Sequence, residues 1–190
     1  MNDLVRFGLI LMLVALISAG SLSYVNRITL PKILAQQTQE LNQGLNSVLP
    51  GAQDGIIIPV PVAGTVSYYE GYRDKDKTKL EGYAFLVESD GYSSTIRTLV
   101  GMDSDFNILA IQVLSQQETP GLGTRVQEIR SGETTPWWQD QFQNQSAANL
   151  AVDKDGGAIQ SITGATITSR AIADGIANKA RELSELIQTK

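Results

Sequence analysis

The 190-residue chain contains neither cysteine nor histidine. Those two absences remove the usual ligands of iron–sulfur clusters, haem and most zinc sites, and they exclude disulfides and thiol or imidazole catalysis. No metal site is expected, and any redox role must rest on an organic cofactor. Basic residues are also in deficit: 15 Lys and Arg against 20 Asp and Glu leave a net charge of −5. A nucleic-acid binder needs a basic surface to displace counterions from phosphates, so nucleic acid is excluded as a partner. No nucleophile–base arrangement is recognisable, and no catalytic residue is expected.

Charge is missing altogether from Phe7 to Val25. At ~1.5 Å per residue this run reaches roughly 28 Å, about the thickness of a bilayer core. Residues 1–28 therefore read as a single transmembrane anchor in contact with lipid. A cleaved leader is the competing reading, since Arg6 precedes the run and Ser18, Ala19, Gly20 and Ser21 suit a processing site. Arg6 lies on one side and Arg27 with Lys32 on the other, so basic residues alone leave orientation open.

Residues 29–63 read as a helical stalk and linker. Pro31 suits a first helical turn, Ile33, Leu34, Leu41, Leu45, Val48 and Leu49 form an apolar stripe, and Pro50-Gly51 is a stop signal. Gly51 to Ala63 reads as a loop or a short edge strand. From there to the C-terminus, residues 64–190, one domain is expected. Its first half carries β-branched and aromatic segments at Val66–Tyr72, Gly82–Glu88, Ser94–Val100 and Ile108–Leu114, and their short connections imply antiparallel neighbours. The charged stretch from Arg73 to Lys79 reads as a solvated hairpin tip. Trp137 and Trp138 read as packing anchors, with stacking on a flat cofactor as the alternative. The fold class is α+β: an N-terminal transmembrane helix, then a domain with an antiparallel sheet and flanking helices.

The most informative segment is Ser161-Ile-Thr-Gly-Ala-Thr-Ile-Thr-Ser169. Beyond it, Ile172, Ile176, Ala180, Leu183 and Ile187 recur at three- and four-residue steps, the pattern of an amphipathic helix. Thr168 or Ser169 is expected to cap that helix, whose free N–H groups and partial positive charge favour an anion beside Thr166. Gly164 and Ala165 allow a tight turn and leave the Thr166 hydroxyl open to a second protein. In Glu118-Thr-Pro-Gly-Leu-Gly123, Pro120 stiffens the loop, Gly121 and Gly123 let backbone approach a flat ring, and Leu122 offers an apolar contact. Glu118 reads as orienting that loop through backbone N–H groups.

These two segments, with Gly91-Tyr-Ser-Ser-Thr-Ile96 and Val100-Gly-Met-Asp103 upstream, resemble the FMN-binding domain of RnfG and NqrC subunits. The short chain resembles RnfG more than NqrC. Gln116-Gln117 departs from the more basic or histidine-containing pair expected before Glu118. The resemblance implies FMN joined by a phosphoester to Thr166, with Thr163, Gly164, Ala165, Glu118, Thr119, Leu122 and Gly123 around it. It implies a flavin transferase that installs the group from FAD with a divalent metal. The implied role is electron transfer within a membrane Rnf-type complex that couples ferredoxin:NAD⁺ oxidoreduction to Na⁺ or H⁺ translocation. Other membrane and peripheral subunits are then partners, and the chain has no activity of its own. The implied location is the inner or plasma membrane, single-pass, with the N-terminus cytoplasmic and the FMN domain outside. An NqrC-like subunit of a Na⁺-translocating NADH:quinone reductase, or a free-standing surface flavoprotein, is the alternative.

Overall fold

The computed structural model describes residues 3–62 and 65–188. The boundary expected between residues 63 and 64 falls outside them. The chain divides into two units, Met1–Glu40 and Leu41–Lys190.

The first unit is the greater part of a single helix, α1 (Asp3–Val48), which is long and apolar enough to cross a membrane. Its apolar side chains are exposed on every side. Sequence pattern places Pro31 at the start of a second helix, but the helix runs through it. A proline inside a helix removes one backbone hydrogen bond, and the turns on either side keep this one continuous.

The second unit is built on one antiparallel sheet whose strands lie in chain order: β1 (Ile56–Val62), β2 (Thr65–Tyr72), β3 (Leu80–Asp90), β4 (Thr95–Met102) and β5 (Ile108–Ser115). The segment read as a loop or edge strand is thus a single-turn 3₁₀ helix, Pro50–Ala52, followed by an edge strand. The expected hairpin tip is present, with the Arg73 N–H bonded to the Lys79 carbonyl at 2.9 Å.

Period-two alternation sends the side chains of each strand to opposite faces. Phe85, Val87, Ile96, Val100 and Val113 enter the larger core, beneath the C-terminal helix α2 (Thr166–Gln188). That helix buries Ile172, Ile176, Ala180 and Leu183, the face its periodicity marks, and Ile187 packs half-buried at its end. Ala84 and Leu99 point the other way, against Leu45, Val48 and Leu49 at the end of α1. The stripe read on that helix divides accordingly: these three are buried and Leu41 partly so, while Ile33 and Leu34 are exposed.

The last turn of α1 touches the backbone of β4. A Cβ added at Gly101 would sit 2.0 Å from the Val48 carbonyl oxygen, well inside van der Waals contact. Gly101→Ala is expected to destabilise the domain by about 2–3 kcal/mol, the cost of forcing an extra carbon into a packed core. The midpoint of urea unfolding reads this directly.

Candidate functional site

The chain approaches α2 through buried Ile159 and Ile162. A turn follows, closed by the Ala165 N–H on the Ile162 carbonyl at 2.9 Å, with Gly164 at φ +80°. Helix α2 then begins at Thr166, so Thr168 and Ser169 lie inside its first turn and neither caps it. Both hydroxyls are engaged elsewhere. Ser169 Oγ accepts the Ile162 N–H at 3.0 Å and donates to the Ala165 carbonyl at 3.1 Å. Thr168 Oγ1 donates to Glu118 Oε2 at 2.6 Å. The N–H groups of Thr166, Ile167 and Thr168 consequently have no hydrogen-bond partner among the described residues. Three free donors at the positive end of a 23-residue helix are suited to an anion.

Glu118 is only 4 % exposed. Its Oε1 accepts the N–H groups of Ser93 and Ser94, both at 3.0 Å, and its Oε2 accepts that of Tyr92 at 3.1 Å besides the Thr168 hydroxyl. Burial pushes this carboxyl up, but the Thr168 hydroxyl and the three backbone N–H groups outweigh it and hold the pKa down at about 2. One carboxylate thus ties together the turn after β3, its own loop and the start of α2. The sequence pattern has it orienting its own loop; its partners are in fact other segments, and Gly123 leaves room for it. A Cβ at Gly123 would lie 2.8 Å from Glu118 Oε2.

These segments enclose a cleft of about 580 Å³, within the range of small-molecule sites. Of the residues expected at the site, Glu118, Thr119, Leu122, Gly123, Gly164, Ala165 and Thr166 all line it. Thr163 does not. Ile162 is anchored in the core and Gly164 reverses the chain, which leaves Thr163 exposed to solvent. Tyr92, Ile167 and Thr168 also line the cleft. Tyr92 and Ile167 keep 69 % and 51 % of their surface exposed, and with Leu122 they give it an apolar rim. An aromatic inside Gly91-Tyr-Ser-Ser is the available signal for Tyr92. Ile167, between Thr166 and Thr168, breaks the apolar stripe of α2 and so faces outward.

Gly164 is needed for the turn. A Cβ there would meet Leu122 Cδ2 at 3.0 Å, in a backbone conformation that side chains resist. Gly164→Ala is expected to cost about 1–2 kcal/mol in unfolding experiments and to loosen the cleft wall.

Neither tryptophan reaches the cleft. Trp138 is fully buried, edge-on to Phe142 at 5.0 Å, with its N–H on the Gln160 carbonyl at 2.9 Å. Trp137 donates to Glu128 at 3.0 Å and lies under the Arg130 guanidinium, 3.7 Å from the ring centre. A larger, more open hollow of about 860 Å³ lies between the sheet and α2, and none of the expected site residues lines it.

The FMN-binding domain family matches residues 91–181, which include every residue lining the cleft, and the RnfG N-terminal region family matches residues 1–48. The match defines a flavin-binding domain carried behind a helix able to cross a membrane. The G subunit of the ion-translocating oxidoreductase complex of Shewanella baltica (strain OS223) is 31 % identical over 191 residues, covering 93 % of this chain and 88 % of that one. Its counterpart in Aliivibrio fischeri (strain ATCC 700601 / ES114) is 32 % identical over 185 residues, covering 90 % and 86 %. The chain belongs to this RnfG family of ion-translocating oxidoreductase subunits. Membership makes it a membrane flavoprotein of electron transport. The crystal structure of Shewanella oneidensis NqrC aligns with a TM-score of 0.45 at 23 % identity, over 58 % of this chain and 52 % of that one.

Proposed function

We propose that this chain carries FMN in phosphoester linkage to Thr166 and passes electrons within a membrane complex that couples ferredoxin:NAD⁺ oxidoreduction to Na⁺ or H⁺ movement. The observation that carries this reading is the convergence, in one cleft, of the Thr166 hydroxyl, three free N–H groups and an apolar rim. The N–H groups suit a phosphate, and Tyr92, Leu122 and Ile167 suit an isoalloxazine ring. FMN, when bound, supplies the redox chemistry. The chain's own residues bind and orient it: Thr166 fixes the phosphate, the start of α2 neutralises it, and Glu118 holds the surrounding loops.

Attachment is the work of a separate flavin transferase acting on FAD. The Thr166 oxygen bonds to the phosphorus on the flavin side, the pyrophosphate P–O bond breaks, AMP leaves, and the hydroxyl proton is released. A covalent bond removes the dissociation equilibrium, so a cofactor facing the outside is not lost by dilution. The chain has no activity alone. Residues 1–28 serve as the anchor with the N-terminus cytoplasmic, residues 29–40 as the stalk, and the unit from Leu41, which takes in β1 as well as residues 64–190, as the FMN domain on the outer side.

The test is the intact mass of the chain from its native membrane, with the proteins that purify alongside it. The added mass of an FMN phosphoryl group and co-purifying membrane subunits are expected. A modified chain that purifies alone would indicate a free-standing flavoprotein, and an unmodified chain from a host with active transferase would overturn the covalent reading.

A further inference from the structure

The turn before the acceptor segment is a 3₁₀ helix, Asp153–Asp155, whose three residues include two carboxylates. They hold different parts of the segment that follows. Asp153 Oδ1 accepts both the N–H of Ser161, at 3.0 Å, and its hydroxyl, at 2.6 Å. Asp155 takes Arg170 in a two-pronged pair, Nε to Oδ2 at 2.6 Å and Nη2 to Oδ1 at 2.8 Å. Ser161 stands five residues before Thr166 and Arg170 four residues after it. Backbone bonds fix the turn itself: the Asp153 N–H to the Ile159 carbonyl at 2.7 Å and the Gly157 N–H to the Val152 carbonyl at 2.9 Å.

We infer, on the reading that Thr166 accepts FMN, that Asp153 and Asp155 are positioning residues for the attachment step. They clamp the acceptor segment at both ends so that Thr166 is presented to the flavin transferase in one conformation. Neither carboxylate lines the cleft, so neither touches the flavin. The clamp is permanent in charge. The Ser161 hydroxyl and N–H hold the Asp153 carboxyl at about 2, and Arg170 lowers that of Asp155. Paired, charge-assisted bonds of this kind fix orientation as well as distance, which is what a hydroxyl nucleophile needs when a second protein must align it with a phosphorus atom.

The experiment follows intact mass over time for the full-length chain in detergent with FAD, Mg²⁺ and a flavin transferase. Asp155→Asn, Arg170→Gln and Ser161→Ala are each expected to slow attachment about tenfold, as charge-assisted contacts that align a reacting group do when lost. The exchanged pair Asp155→Arg with Arg170→Asp is expected to recover most of the rate. Lys179→Gln, which breaks an ion pair with Glu182 farther along α2, is expected to react at the wild-type rate. Attachment to every clamp variant as fast as to wild type overturns the inference, as does a slowing matched by Lys179→Gln, which would report stability alone. Failure of the exchanged pair to recover the rate also counts against it. A wild-type chain that takes up no FMN defeats the attachment reading itself and is told apart from these outcomes at the first time course.

Discussion

A Thr166→Ala chain produced beside an active flavin transferase is expected to carry no added FMN mass and no flavin absorbance after denaturation, whereas Thr166→Ser retains both. The expected difference is all or none, because the linkage needs an oxygen at that position and the alanine variant has none. The fold is expected to survive, since Thr166 is half-buried and its hydroxyl makes no hydrogen bond among the described residues. The three free N–H groups belong to the backbone and remain in the variant. The cleft then still takes FMN reversibly, and dialysis separates this from the covalent form. Added mass that persists in Thr166→Ala would place the linkage on another hydroxyl; Thr168, two residues on, is buried and bonded to Glu118, which leaves exposed Thr163 as the nearest accessible one.

The second large effect belongs to Glu118. Its folded pKa of about 2 lies below the ordinary 4.5, so the carboxylate contributes stability that is fully present above about pH 4.5 and is lost as pH falls towards 2. A depression of this size corresponds to about 3 kcal/mol. Glu118→Gln places an amide donor against the N–H groups of Tyr92, Ser93 and Ser94 and leaves part of that set unsatisfied. Urea unfolding at neutral pH is expected to show a loss of about 2–3 kcal/mol, with a flatter dependence than wild type between about pH 5 and pH 2. An unchanged pH profile in Glu118→Gln would show that the carboxylate contributes nothing to stability.

Much of this molecule is legible in the residues because its patterns are local. Strand alternation in β3 and β4, and the three- and four-residue rhythm of α2, depend on neighbours in the chain, and the sheet joins only consecutive strands. The site motifs are visible for the same reason: each lies within a few consecutive residues. What the sequence hides is set by contacts between distant segments. Thr168 and Ser169 have the chemistry of helix caps, and only the positions of Glu118 and Ile162 show why they are used otherwise. Glu118 gives no sign that its partners sit 24 to 26 residues before it and 50 after it. Pro31 misleads because a proline signals a helix start more often than a passage through one.

The order of elements along the chain has a consequence for when the site comes into being. The cleft draws on Tyr92, on the loop after Glu118 and on the first turn of α2, and the helix that completes it comes last among the described elements. Without α2 the sheet and its loops supply only part of the cleft wall, Tyr92 and the loop from Glu118 to Gly123. The pocket therefore reports the docking of α2: a copy truncated before Thr166, or one in which this helix has not packed on the sheet, lacks the helix start that would receive an anion.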